Sequence, residues 1–249
     1  FTFKPFCVAI PVCYCPIHSL ASTNETMLDL SDKLPFAQGY NRLCYEHPLD
    51  SARCLKIVRP ENIAARTQRQ SRLKQLLGTN RLNDNTQEII AHNQRAIREL
   101  LAKGREDLVW SHLPRFYGSV QTSLGEANES ELIRCADGNV APTLETLMQD
   151  HGLTPELETG IREFLDWLKQ TRILTRNLLP HNLVVTDRIG RTQLFLVDGL
   201  GAPTIPQALA PLPGWSSHYI DRKIDRFRKR LAWEQNGEGL SWEDFQRLR

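Results

Sequence analysis

TRNLLPHNLVVTDRIGRTQLFLVDGLG, residues 175–201, is the stretch that decides the fold. RNLLPHN has no hydrophobic period and carries Pro180 between Asn177 and Asn182, so it reads as a loop. LVVTD and TQLFLV are short runs of β-branched, aliphatic and aromatic residues on either side of a turn at Gly190, the pattern of a β-hairpin. Asp198 closes the second run and Gly199 follows it, so a carboxylate leaves a buried strand at a flexible corner. Taken singly, Asn182 is an ordinary turn former and Asp198-Gly199 an ordinary strand-ending turn. Their ordered spacing is what sets the stretch apart.

Upstream, the pattern is strand, turn, strand. LPFAQGYNRLCYEH (34–47) carries β-type residues around Gly39, HPLDSAR supplies a turn, and CLKIV (54–58) is an apolar strand with Lys56 inside it. Residues 61–77 read as a polar helix with a stripe of Arg66, Arg69, Arg72 and Lys74. A second helix starts at Asn83 or Asp84, either of which can cap it, and runs through Ile89, Ile90, Ile97 and Leu101 to Gly104. LPRFYGSVQT (113–122) and ELIRCA (131–136) read as two further strands. Downstream, TLETLMQDHGLTPELETGIREFLDWLKQTRI gives two helices parted at Gly152-Leu153-Thr154-Pro155. Strands before about residue 137 and helices after it, one hairpin apart, specify an α+β fold. The expected boundaries are a sheet lobe at 27–136 and a helical lobe at 137–249.

The chain has 249 residues, 41% of them hydrophobic and 24% charged, the composition of a soluble globular protein with a real core. A formal charge of +2 does not demand nucleic acid or an anionic membrane as partner. No apolar run reaches the length of a membrane span, and a cytoplasmic location is expected. The six cysteines include no CxxC pair, which disfavours a zinc site. Cys44 and Cys54 flank a turn and could face each other, but free, inert thiols are the expectation over a disulfide. Residues 1–26 read as a tail or upstream extension without fixed structure. A targeting signal, with a cleavage point near Ala21-Ser22, is the alternative, although Pro5, Pro11 and Pro16 interrupt its apolar stretch. IDRKIDRFRKRL (220–231) sets Ile220, Ile224, Phe227 and Leu231 on one helical face and basic residues elsewhere. It reads as the solvated side of a packed helix, with a nucleic-acid surface as the competing reading.

Three separated elements fit one task. A lysine between Leu55 and Ile57 needs an anionic partner if buried. Asn182 and Asp198 offer oxygen donors, and phosphoryl transfer needs a cation on the phosphates, oxygen ligands for magnesium and a group near the acceptor hydroxyl. NLLPHN, LVV and then LVDG resemble the catalytic loop and metal-binding aspartate of protein kinases. With AQGYNRLCYEHPLDSARCLKIV, NDNTQEI, SHLPRFYGSVQT, VDGLG and IDRKIDRFRKRL, the order more closely resembles the YrbL family (PhoP regulatory network protein YrbL), over Met27 to Trp233. That family looks like a compact branch of the kinase-like, two-lobed fold.

The resemblance implies ATP and Mg²⁺ as cofactors. Lys56 would hold the α- and β-phosphates, and Glu88 would pair with it, with Glu99 as the alternative register. Asn182 and Asp198 would bind the metal. Gly39 would lie over the nucleotide, although Ala37 stands where the family pattern commonly has glycine. Asn177 occupies the position of the catalytic aspartate, and an amide orients a hydroxyl but cannot take its proton. The expected function is therefore nucleotide binding with weak or absent phosphotransferase activity toward an unspecified acceptor. A non-catalytic regulatory scaffold and a nucleic-acid-binding regulator are the rivals. His181 reads as a surface loop residue.

Overall fold

The computed structural model describes residues 27–39, 41–59, 61–62, 82–202, 209, 212 and 214–236. All but the first two residues of the helix expected at 61–77, the tail at 1–26 and most of the Pro-rich stretch at 203–213 lie outside the described residues. Five strands make one antiparallel sheet: β1 (Ala37–Gln38), β2 (Arg42–His47), β3 (Asp50–Val58), β4 (Phe116–Thr122) and β5 (Gly125–Glu131), in the spatial order β1-β2-β3-β5-β4. Central β3 has both faces covered. Leu55 and Ile57 join Leu30, Tyr45 and Ala127 in a small core, while Cys54 and Lys56, one residue out of phase, are buried on the other side.

The last strand of this sheet is not where its sequence suggested. The structure has β5 at Gly125–Glu131, and the segment expected as a strand at 131–136 makes only an isolated bridge at Arg134. GEANESE has no hydrophobic alternation, yet Ala127, Asn128, Glu129 and Ser130 are all buried. Polar side chains are tolerated there because each finds a partner: Asn128 donates to Glu88 and to the Asn85 carbonyl, Glu129 pairs with Arg53, and the Ser130 hydroxyl lies 3.3 Å from Cys54 Sγ. Cys44 and Cys54 do not oppose each other, since Cys44 faces Lys56 and Cys54 faces Glu46 across the β2–β3 ladder. Both are free thiols.

Asn83 caps α1 (Asp84–His92), its side chain accepting from the Asn85 and Thr86 backbone N–H groups. The single helix expected to run on to Gly104 is instead two, because the chain breaks at Asn93-Gln94 before α2 (Arg95–Ala102). Gln94 holds the break. Its amide donates to the Ala91 carbonyl and its Oε1 accepts the Leu174 N–H at 2.7 Å, tying the end of α1 to the segment that enters the 175–182 loop. A short helix, α3 (Glu106–Trp110), leads into β4.

In the C-terminal part come α4 (Leu144–His151), α5 (Pro155–Thr171), the hairpin β6 (Leu183–Thr186) with β7 (Gln193–Leu196), and α6 (Trp215–Asn236). Thr154 caps α5 and Pro155 occupies its first turn, so the separator read at Gly152-Leu153-Thr154-Pro155 gives its last residue to the helix. Gly160 lets α5 lie close on the hairpin: a Cβ there would meet the Leu194 side chain at 2.8 Å. The larger core is built on α5, β6, β7 and the apolar face of α6, with Ile220, Ile224, Phe227 and Leu231 all buried. Ile97 and Val109 join this core too, so α2 and α3 pack with the C-terminal helices although they precede β4 in the chain. The basic side of α6 carries its own acidic partners, Asp225 to Lys229 and Glu234 to Arg230.

Candidate functional site

The site begins with a buried lysine. Lys56 is 6% exposed in the middle of β3, where an unpaired ammonium would be costly. Its Nζ donates to Glu88 Oε1 at 2.7 Å and to the Val197 carbonyl at 2.9 Å. Glu88 reaches it from α1, placed by the Asn83 cap and by Asn85, whose side chain donates to the Lys56 carbonyl. The sequence left Glu88 and Glu99 as alternatives for this contact. Geometrically it is Glu88; Glu99 lies exposed on α2, paired with Arg95.

A second cation, absent from the sequence reading, completes the cluster. Arg42 opens β2, three residues after Gly39, and is 6% exposed. One terminal nitrogen donates to Glu88 Oε2 at 2.7 Å, and the other lies 2.7 Å from Asp198 Oδ1. Asn128 of β5 also donates to Glu88 Oε2, so three donors surround this carboxylate. Burial works against every charge here and is outweighed each time. Arg42 and Lys56 hold the Glu88 carboxyl far below its ordinary range, Glu88 keeps the Lys56 ammonium protonated, and Glu88 and Asp198 do the same for Arg42. Asp198 is lowered by Arg42 and then Lys56, again against burial.

The 175–182 loop and the end of β7 are bound to the same point. Val197, whose carbonyl receives Lys56, donates its N–H to the Asn182 carbonyl at 3.0 Å. The Asn182 amide in turn donates to the Asn177 carbonyl at 2.9 Å, which turns its Oδ1 away from that bond. Asp198 Oδ1 also accepts the Gly199 N–H. Gly199 has φ +79°, and a Cβ there would sit 2.5 Å from the Asn177 carbonyl oxygen, so only glycine allows the corner to touch the loop. The Gly199 carbonyl accepts from the Thr175 hydroxyl and from the Arg176 N–H, closing the contact.

Lys56, Glu88, Asn182 and Asp198 thus meet around Val197 and Arg42. Asn177 is anchored by its backbone next to them and is exposed. Gly39 lies in the β1–β2 turn, its N–H donating to the Arg42 carbonyl, and a Cβ there would make only ordinary contact. His181 sits on the surface near Glu145. The thiol of Cys44, across the ladder from Lys56, is pushed up to about 11 by burial, which suits an inert packing group rather than a nucleophile. Among the described residues no cluster of three or more His, Cys, Asp or Glu could hold a metal, and no helix is long and apolar enough to cross a membrane.

Arg42 and Asn128 had no visible signal in the sequence. Arginine and asparagine are usually solvated, and only the sheet register reveals that these two point at Glu88.

The sequence model of the family described as PhoP regulatory network protein YrbL matches residues 28–235. The chain is 28% identical over 210 residues to a protein of Escherichia coli (strain K12) called "Uncharacterized protein YrbL", covering 82% of this chain and 86% of the relative. A Shigella flexneri protein of the same name matches to the same extent.

Proposed function

The chain belongs to the family of the PhoP regulatory network protein YrbL, and from that premise we propose that it is a kinase-like nucleotide-binding protein with weak or absent phosphotransferase activity. One observation carries the reading: Lys56, Glu88 and Asp198, from three distant segments, share a single ion-pair network through Arg42, buried at Lys56 and Glu88 and open at Asp198. A strand lysine held by a helix glutamate beside an Asp-Gly corner is the arrangement that positions nucleotide phosphates in kinase-like folds. The N-terminal sheet and the helical C-terminal part, which α2 and α3 join, would then be the two lobes, with the nucleotide between them.

In this reading Lys56 lies on the α- and β-phosphates and Glu88 fixes its direction. The donors fit a hard divalent ion, with an amide oxygen from Asn182 and a carboxylate from Asp198. Bound magnesium would neutralise charge on the phosphate chain. Asn177 can orient an acceptor hydroxyl but leaves its proton in place, which lowers transfer by about 10²–10⁴-fold on the usual scale of acid–base assistance. The exposed amide in place of a base favours a protein that binds nucleotide, and answers to it, more than one that turns it over quickly.

Calorimetric titration of ATP with magnesium into the protein and its Lys56→Ala variant tests this. Saturable binding by the parent, weakened about 10–100-fold by loss of one charge-assisted phosphate contact, is expected. A parent that takes up no ATP at millimolar concentration removes the reading.

A further inference from the structure

We infer that Arg42 is a phosphate-binding residue of this site, and that it lets the protein bind a nucleoside triphosphate without a divalent metal. The inference rests on the nucleotide reading above and concerns the same site. It starts from an asymmetry in how Arg42 is held. Its contact with Glu88 is sealed: the two side chains are 7% and 9% exposed. Its contact with Asp198 opens outward, because the Asp198 side chain is 50% exposed. Glu88 is the anchor, and Asp198 is the partner that an incoming anion can replace.

The positions of the two cations follow from Glu88. Lys56 takes one carboxylate oxygen and Arg42 the other, so ammonium and guanidinium stand on either side of one anion. Two cations face two anions, Glu88 and Asp198, and the cluster is balanced before any ligand arrives. A phosphate chain that displaces Asp198 from Arg42 gains the guanidinium nitrogen that Asp198 held, next to the point charge of Lys56, while the other terminal nitrogen stays on Glu88. Glu88 remains in place beneath both. The positive charge that a metal ion would bring is then already part of the protein.

The same contact works against the metal. An ion approaching Asp198 meets a guanidinium 2.7 Å from Oδ1, and the Gly199 N–H on that same oxygen. A metal can take Oδ1 only after Arg42 has moved to another anion. At that oxygen phosphate comes first, and magnesium adds little to a site that already carries two cations.

Titration of ATP in excess EDTA and again in millimolar magnesium, with the parent, Arg42→Gln and Arg42→Lys, decides the matter. The parent is expected to bind in EDTA within about 10-fold of its affinity in magnesium. Arg42→Gln should lose about 10–100-fold in EDTA, the scale of one charge-assisted contact, and less in magnesium, so that its metal dependence grows. Arg42→Lys keeps the charge without the second terminal nitrogen and should fall between them. A general loosening of the fold would lower both affinities together and leave their ratio unchanged. A parent that binds only with magnesium, or an Arg42→Gln variant with an unchanged EDTA-to-magnesium ratio, overturns the role of Arg42 while leaving the nucleotide site standing. No binding in either buffer overturns the nucleotide reading, and this inference with it.

Discussion

Replacing Glu88 by glutamine tests the ion-pair network most directly, because it removes one charge while keeping the shape of the side chain. In the parent, Lys56 and Arg42 share that charge while both are 6% exposed. In the variant Arg42 retains an anion, Asp198, whereas Lys56 is left with neutral acceptors, the Val197 carbonyl and the glutamine amide oxygen. Breaking a buried pair from one side costs about 3–5 kcal/mol. The alternative open to Lys56 is to lose its proton. From an unfolded value near 10.4 to pH 7 is roughly 3.4 units at about 1.4 kcal/mol each, which caps the loss near 5 kcal/mol.

The two routes differ in pH dependence. If native Lys56 becomes neutral, the unfolded chain binds one proton more, so the variant gains about 1.4 kcal/mol relative to the parent for each pH unit from 7 to 9. At the acid end the sign concerns Glu88 itself. Its folded pKa is depressed, so its stabilisation is complete above the unfolded value near 4.3 and is lost as pH falls below it. The variant should lack that component of acid sensitivity. Urea unfolding of parent and variant at pH 3, 5, 7 and 9 measures all of this. A destabilisation below about 1 kcal/mol at pH 7 would mean that the network is not desolvated as its burial indicates.

Three further outcomes are expected. Gly199→Ala forces a left-handed backbone on alanine, at about 1–2 kcal/mol, and drives its Cβ into the Asn177 carbonyl. Chemical unfolding should show a loss of at least about 2 kcal/mol, together with weaker ATP binding. Phe227→Ala empties a fully buried position on α6 and should cost about 3–5 kcal/mol; a loss under about 1 kcal/mol would mean that α6 is not part of the core. Asn177→Asp restores a proton acceptor, and phosphate release from ATP should rise by up to about 10²–10⁴-fold, whereas an unchanged rate favours a purely regulatory role.

Local pattern was enough for much of the fold. The hairpin at 183–196, the Asn83 cap and the buried face of α6 follow from periodicity and capping chemistry, which act over a few residues. Lys56 in an apolar strand and Asp198 at a strand end could be marked as candidates for the same reason. The tertiary structure decided the rest. β5 escaped notice because three of its four buried residues are polar, with Asn128 and Glu129 satisfied by Glu88, Asn85 and Arg53, all distant in sequence. The break at Gln94 is held from Leu174, eighty residues away. Whether Glu88 or Glu99 meets Lys56 depended on where α1 ends, and the burial of Arg42 depended on the sheet register. A hydrophobic pattern records which residues avoid water. It does not record where a buried charge finds its counterion, because that partner is chosen by the folded chain as a whole.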